Sequence, residues 1–119
     1  MRRNREIRIH SDTIHEQAVH TLFELLSNSS QGGIAVDKDS KVAWINEKYV
    51  SLLGLKSVED ALGKEIEEII PNSRMREVVE TGQPILLDLM NFKRQSFVVT
   101  RIPLRDEQGK VTGAVGFAL

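Results

Sequence analysis

Two blocks of apolar residues at period two, residues 33–45 and 85–119, enclose a stretch in which glycine or proline ends each apolar run after one or two turns. Period two puts alternate side chains on opposite faces of a strand, and helices this short are not stable alone. The enclosed helices must therefore lie on a sheet built from the two blocks. In the first block Ile34 and Val36 alternate with smaller residues, "DKDS" makes a turn, and residues 42–45 return as a second strand. In the second block strands are expected over 85–90, 96–104 and 111–119, with "RDEQGK" as the turn between the last two. Strands adjacent in sequence usually pair as antiparallel neighbours. The expected fold class is α+β, a five-stranded antiparallel sheet with short helices on one face.

The helix signals between the blocks are local. Asn46 can accept a bond from a free first-turn amide, Tyr49, Val50, Leu52 and Leu53 follow, and Gly54 stops the helix. Ser57 caps another turn with Asp60 three residues on, and Gly63 ends it. "KEIEEII" leads to Pro71. Ser73 or Asn72 then caps a helix that buries Met75, Val78 and Val79 and ends at Gly82. Arg74 and Arg76 fall in its first turn, where the helix dipole favours anions.

Residues 13–27 read as an amphipathic helix that precedes the sheet. Ile14, Ala18, Leu22, Leu25 and Leu26 recur at helical spacing, and Val19 and Phe23 widen the stripe to about half the circumference. The polar break "SNSSQGG" sets this helix apart from the core, so its apolar half needs cover from the core or from a second copy of itself. Those five residues are the candidate dimerisation surface. The chain divides into residues 1–29, a basic terminus plus flanking helix, and a domain over 30–119. The terminus "MRRNREIR" reads as a solvated tail, and the stop inside the apolar strand "GAVGFAL" reads as the end of a fragment of a longer protein.

Composition excludes several classes. A chain of 119 residues buries roughly two-thirds of its unfolded surface, enough for one core. Net charge is −1, which argues against direct nucleic acid contact. There are no cysteines, no apolar run near the ~20 residues of a membrane span, and no secretory h-region. A cytoplasmic location without membrane contact is expected. No phosphate loop is present, and all three histidines (His10, His15, His20) precede the core, so no Ser/His/Asp set can be assembled. No paired carboxylates in an apolar cleft can be recognised, and no enzymatic activity is expected.

"GGIAVDKDSKVAWIN", the Asn46-capped helix running to "LLG", the "LGKEIEEIIP" step and the closing "RDEQGKVTGAVGFA" resemble, in order and spacing, a PAS domain over residues 30–119. "IPNSRMREVVETGQP" followed by "VVTRIPLRDEQGKVTGAVG" is similar to the sensory PAS domains of sigma-54-dependent transcriptional activators. The resemblance implies a domain that perceives a small-molecule or protein signal and relays it to an AAA+ module. The alternatives are the input domain of a sensor histidine kinase and a ligand-free interaction or dimerisation module. It also implies that the flanking helix dimerises. In that family, cysteine-linked flavin needs a cysteine absent here, and haem commonly uses a histidine where none follows His20. A small organic ligand, or none, is left as the expectation.

Arg101 lies mid-strand on the same face as Phe97 and Val99. If that face meets the helices, Arg101 is a charge in the core and must be paired, with a protein carboxylate or with an anionic ligand. Arg74 beside a helix start could add to such a site. Arg74, Arg101, Tyr49 and Phe97 are the candidate ligand-binding residues. The plainer alternative, which carries more weight on sequence alone, puts Arg101 on the outer face and Arg74 in solvent beside Glu77, with Tyr49 as packing.

Overall fold

The computed structural model describes residues 31–118, together with Thr13, Ile14, Glu16, Gln17, Ala18, His20, Thr21 and Glu24. Those eight are helical and exposed, with Ile14 and Ala18 of the candidate dimerisation stripe among them. Leu22, Leu25 and Leu26 lie outside the described residues.

Five strands, β1 (Gly32–Asp37), β2 (Val42–Ile45), β3 (Ile85–Phe92), β4 (Gln95–Arg105) and β5 (Val111–Ala118), form one sheet in the order β2-β1-β5-β4-β3. Every neighbouring pair is antiparallel. Two of the three sequence-adjacent hairpins follow local turn signals, and the β3–β4 hairpin turns through Lys93 and Arg94 at φ 49° and 65°. The central pairing of β1 with β5 is long-range and joins the two period-two blocks. It is close: a Cβ on Gly113 would sit 2.2 Å from the Val36 carbonyl oxygen. Only glycine lets the backbones approach this way.

Three helices, α1 (Glu47–Leu53), α2 (Ile66–Ile69) and α3 (Met75–Thr81), and a 3-10 turn at Val58–Asp60 connect β2 to β3. Asn46 starts α1 by accepting from the Tyr49 amide at 2.9 Å, and Gly54 ends it at φ 73°. The Asp60 carboxylate takes the Ser57 amide at 3.2 Å. One expectation shifts by a residue. Arg74 is the N-cap of α3 rather than part of its first turn, and the Ser73 hydroxyl accepts from the Met75 amide at 3.1 Å. Arg105 closes the other end, donating to the Gly82 carbonyl at 2.8 Å. Amides at Val42, Gly63 and Ile66 bond across to Lys64, Val42 and Ser40, which covers part of the open edge of β2.

The core fills the space between the helices and the inner sheet face. Ile34, Val36, Leu53, Ile66, Val78, Val99 and Ala114 are fully or almost fully buried there. Each large aliphatic side chain contributes about 1.5–3 kcal/mol on burial.

Candidate functional site

Alternation along β4 places Phe97, Val99 and Arg101 on the inner face, all buried, with Arg101 only 2% exposed. The outer-face alternative for Arg101 is thereby corrected. The reason is register: Arg101 pairs with Gly116 of β5, and a Cβ there would meet Met75 of α3 at 3.2 Å, so this position faces the helices. The charge is answered from the next strand. Arg101 Nη1 donates to Asp88 Oδ2 at 2.8 Å.

Asp88 was not among the candidates from sequence. Strict alternation from Ile85, which faces the core opposite Arg101, would turn Leu87 inward and Asp88 outward. A bulge between Ile85 and Asp88 inserts one residue and reverses the parity, so Asp88 pairs with Val99 and faces in. Leu87 takes φ 53°, a left-handed conformation unusual for leucine, and its amide donates to the Thr100 hydroxyl at 3.1 Å. The detectable signal was a lone acid within "ILLDLM".

Tyr49 enters from α1. Asn46 orients this helix, because its Oδ1 also accepts from the Gly33 amide at 3.0 Å while its Nδ2 donates to the Gln31 carbonyl at 2.9 Å. The Tyr49 ring packs over Gly32, whose missing side chain leaves room for it. Burial pushes the Tyr49 phenol up to about 12, and the nearby Arg101 charge opposes part of that rise. Arg74 reaches the same carboxylate from outside. It is half-exposed, pairs with Glu77 at 2.8 Å, and lies 3.4 Å from Asp88 Oδ2. The beside-Glu77 expectation for Arg74 therefore holds, and the contact to Asp88 adds to it. The Arg101 hydrogen bond, helped by both arginine charges, holds the Asp88 carboxyl below the usual carboxylate range.

Two of the candidate residues thus meet at Asp88, Arg101 from within the core and Arg74 from the surface, while Phe97 shares the inner face of β4 with Arg101 and Tyr49 packs over Gly32 on the same side of the sheet. Arg76 does not join them. It clamps Glu67 with Nε at 3.0 Å and Nη2 at 2.8 Å, and also pairs with Glu65 at 3.1 Å, tying α3 to α2 at the surface. Among the described residues no group of three His, Cys, Asp or Glu side chains could hold a metal ion. No helix among them is long and apolar enough to cross a membrane.

A family model described as PAS fold matches residues 21–119. Two curated proteins of Halalkalibacterium halodurans are similar. The "Probable C4-dicarboxylate sensor kinase" is 29% identical over 71% of this chain and 15% of its own length. The "Sensor protein CitS" is 26% identical over 76% of this chain and 17% of its own length. The chain therefore spans about a sixth of the relatives it matches. Among solved structures, the VqmA dimer of Vibrio cholerae is 26% identical, covers 83% of this chain and 49% of its own, and superposes with TM-score 0.65. VqmA has also been solved bound to DPO.

Proposed function

The chain belongs to the PAS family, and from that premise we propose that it is the sensory input module of a sensor histidine kinase, working in the cytoplasm as a homodimer. The observation that carries the sensory reading is Arg101, a charge buried in the core and held there by one carboxylate from an edge strand. Such a pair gives little net stability over an apolar replacement. A signal that alters the pair alters the edge strand with it. The kinase parent is supported by the two sensor-kinase relatives, each matched over most of this chain. They favour that parent over the sigma-54-dependent activator which the motifs suggested. The homodimer is supported by the flanking helix pattern and by the dimeric VqmA neighbour.

The module binds rather than catalyses, and it touches neither nucleic acid nor membrane. Its two shifted site groups are driven away from neutral pH, Tyr49 upward and Asp88 downward, so neither is poised as a general acid or base. The test is a chimaera in which this chain replaces the matched segment of the Halalkalibacterium halodurans C4-dicarboxylate sensor kinase. Autophosphorylation is expected to persist and to change rate in the Arg101→Lys version. A chimaera that behaves like a kinase lacking the segment altogether overturns the reading.

A further inference from the structure

Arg101 is almost wholly buried, yet among the described residues it makes one hydrogen bond, to Asp88, from a side chain carrying several N–H groups. The Tyr49 hydroxyl makes none among them. No fully buried side-chain nitrogen or oxygen among the described residues is without a partner. The unbonded Arg101 nitrogens and the Tyr49 oxygen therefore each keep a small accessible surface. The two donors with spare capacity share one region of the inner face: Tyr49 packs over Gly32, Gly32 pairs with Ala118, and Ala118 pairs with Val99, one step from Arg101 on the same strand face. Phe97 and Val99, two and one steps along the same strand face, supply an apolar floor.

Asp88 shows what such a place takes. It is a carboxylate, one-quarter exposed, within reach of Arg101 at 2.8 Å and Arg74 at 3.4 Å. It arrives through the bulge, and Leu87 in that bulge is 71% exposed, so packing does not hold it there.

We propose that this is a ligand site which Asp88 fills from within: a small carboxylate with an apolar body displaces it, pairing with Arg101 and Arg74, accepting from Tyr49 and lying on Phe97 and Val99. Displacement frees Asp88 and lets the bulge at Leu86–Leu87 relax, so the edge strand β3 reports occupancy. This deepens the sensory reading above and rests on it. A planar carboxylate suits the guanidinium fork, and the internal occupant already has that shape. Because Asp88 competes for Arg101, the ligand meets a mostly closed site, and its apparent affinity is lowered by the fraction of time the site is open.

The experiment is a titration of the isotopically labelled 119-residue chain with sodium butyrate, followed by nuclear magnetic resonance, with butyramide as the neutral match in shape. Butyrate is expected to give saturable shifts at Arg101, Tyr49 and Asp88 and faster exchange of the Leu87 amide, while butyramide gives none. Asp88→Asn removes the internal competitor and is expected to bind about tenfold tighter. Arg101→Lys loses the planar fork and is expected to bind at least about tenfold more weakly. Arg74→Gln, at a half-exposed residue, is expected to weaken binding severalfold. Absence of saturable binding in both the parent chain and Asp88→Asn, or an equal response to butyramide, overturns the site. Binding with unchanged Leu87 exchange overturns the coupling to the bulge. Failure here with a regulated chimaera leaves the kinase reading standing. Binding here with an inert chimaera does the reverse.

Discussion

Arg101 and Asp88 form one ion pair with unequal surroundings, and the inequality is measurable. Deleting Asp88 leaves a cation at 2% exposure with no carboxylate beside it, whereas deleting Arg101 leaves an anion that is one-quarter exposed and still near Arg74. Asp88→Ala is expected to lower unfolding free energy by about 3 kcal/mol, and Arg101→Met, which keeps the apolar stem, by about 1 kcal/mol. Urea denaturation of the two variants checks the asymmetry. The pH dependence follows from the same pair. The folded Asp88 carboxyl titrates below its ordinary 3.8, so its stabilisation is fully present above that value and is lost as pH falls through the lower folded value. The stability gap between the parent chain and Asp88→Asn should be level near neutrality and shrink below about pH 4. Tyr49 acts at the other end. Its folded phenol, raised from 10.0 to about 12, makes the neutral form the one the fold retains. Stability is then full below pH 10 and falls by at most about 2–3 kcal/mol as pH rises toward 12. Tyr49 is the sole tyrosine, so tyrosinate absorbance reports it directly, and Tyr49→Phe should remove that alkaline loss.

At the scale of the element, the bulge in β3 decides which side chains enter the site. Leu87 sits at φ 53° with its side chain in solvent, so its substitutions test backbone conformation almost without packing. Leu87→Val, β-branched in a left-handed conformation, is expected to cost about 1 kcal/mol or more, while Leu87→Asn should be neutral or stabilising by a few tenths. Urea midpoints at matched slope check the ordering. This element also marks where sequence reasoning stopped. Strand and helix positions were legible because each has a local cause, such as Asn46 capping α1, Gly54 and Gly82 closing helices, and alternation in β4. The face carrying Arg101 followed from that alternation once register was known. Asp88 was not legible, because nothing in "ILLDLM" says that one residue is extra. The pairing of β1 with β5 was also hidden, since a contact between residues 36 and 114 leaves no short-range pattern. Its one trace is Gly113, which weakens a strand unless a backbone comes close.

At the scale of the whole molecule, the sheet is asymmetric. Its inner face is covered by helices, while its outer face carries apolar side chains that the described helices do not cover. Val98 and Ile102 of β4 are 39% and 40% exposed, and Leu89 of β3, opposite Val98, is 65% exposed. Ile14 of the N-terminal helix is 53% exposed. Clustered apolar exposure of this kind marks an interaction surface on a folded domain. A second copy is the occupant proposed above, and a two-fold dimer needs only one such self-complementary patch. Apolar contact at this face predicts concentration-dependent dimerisation. Leu89→Glu combined with Ile102→Glu places two like-charged patches across the two-fold axis and should convert dimer to monomer. The inner core is untouched by either change, so circular dichroism and the Tyr49 titration should stay as in the parent chain. Light scattering after size exclusion, run across a hundredfold range of loading, reads the outcome. A double variant that dimerises as well as the parent chain would place the dimer contact elsewhere, and a parent chain monomeric throughout that range would remove the homodimer from the proposed function.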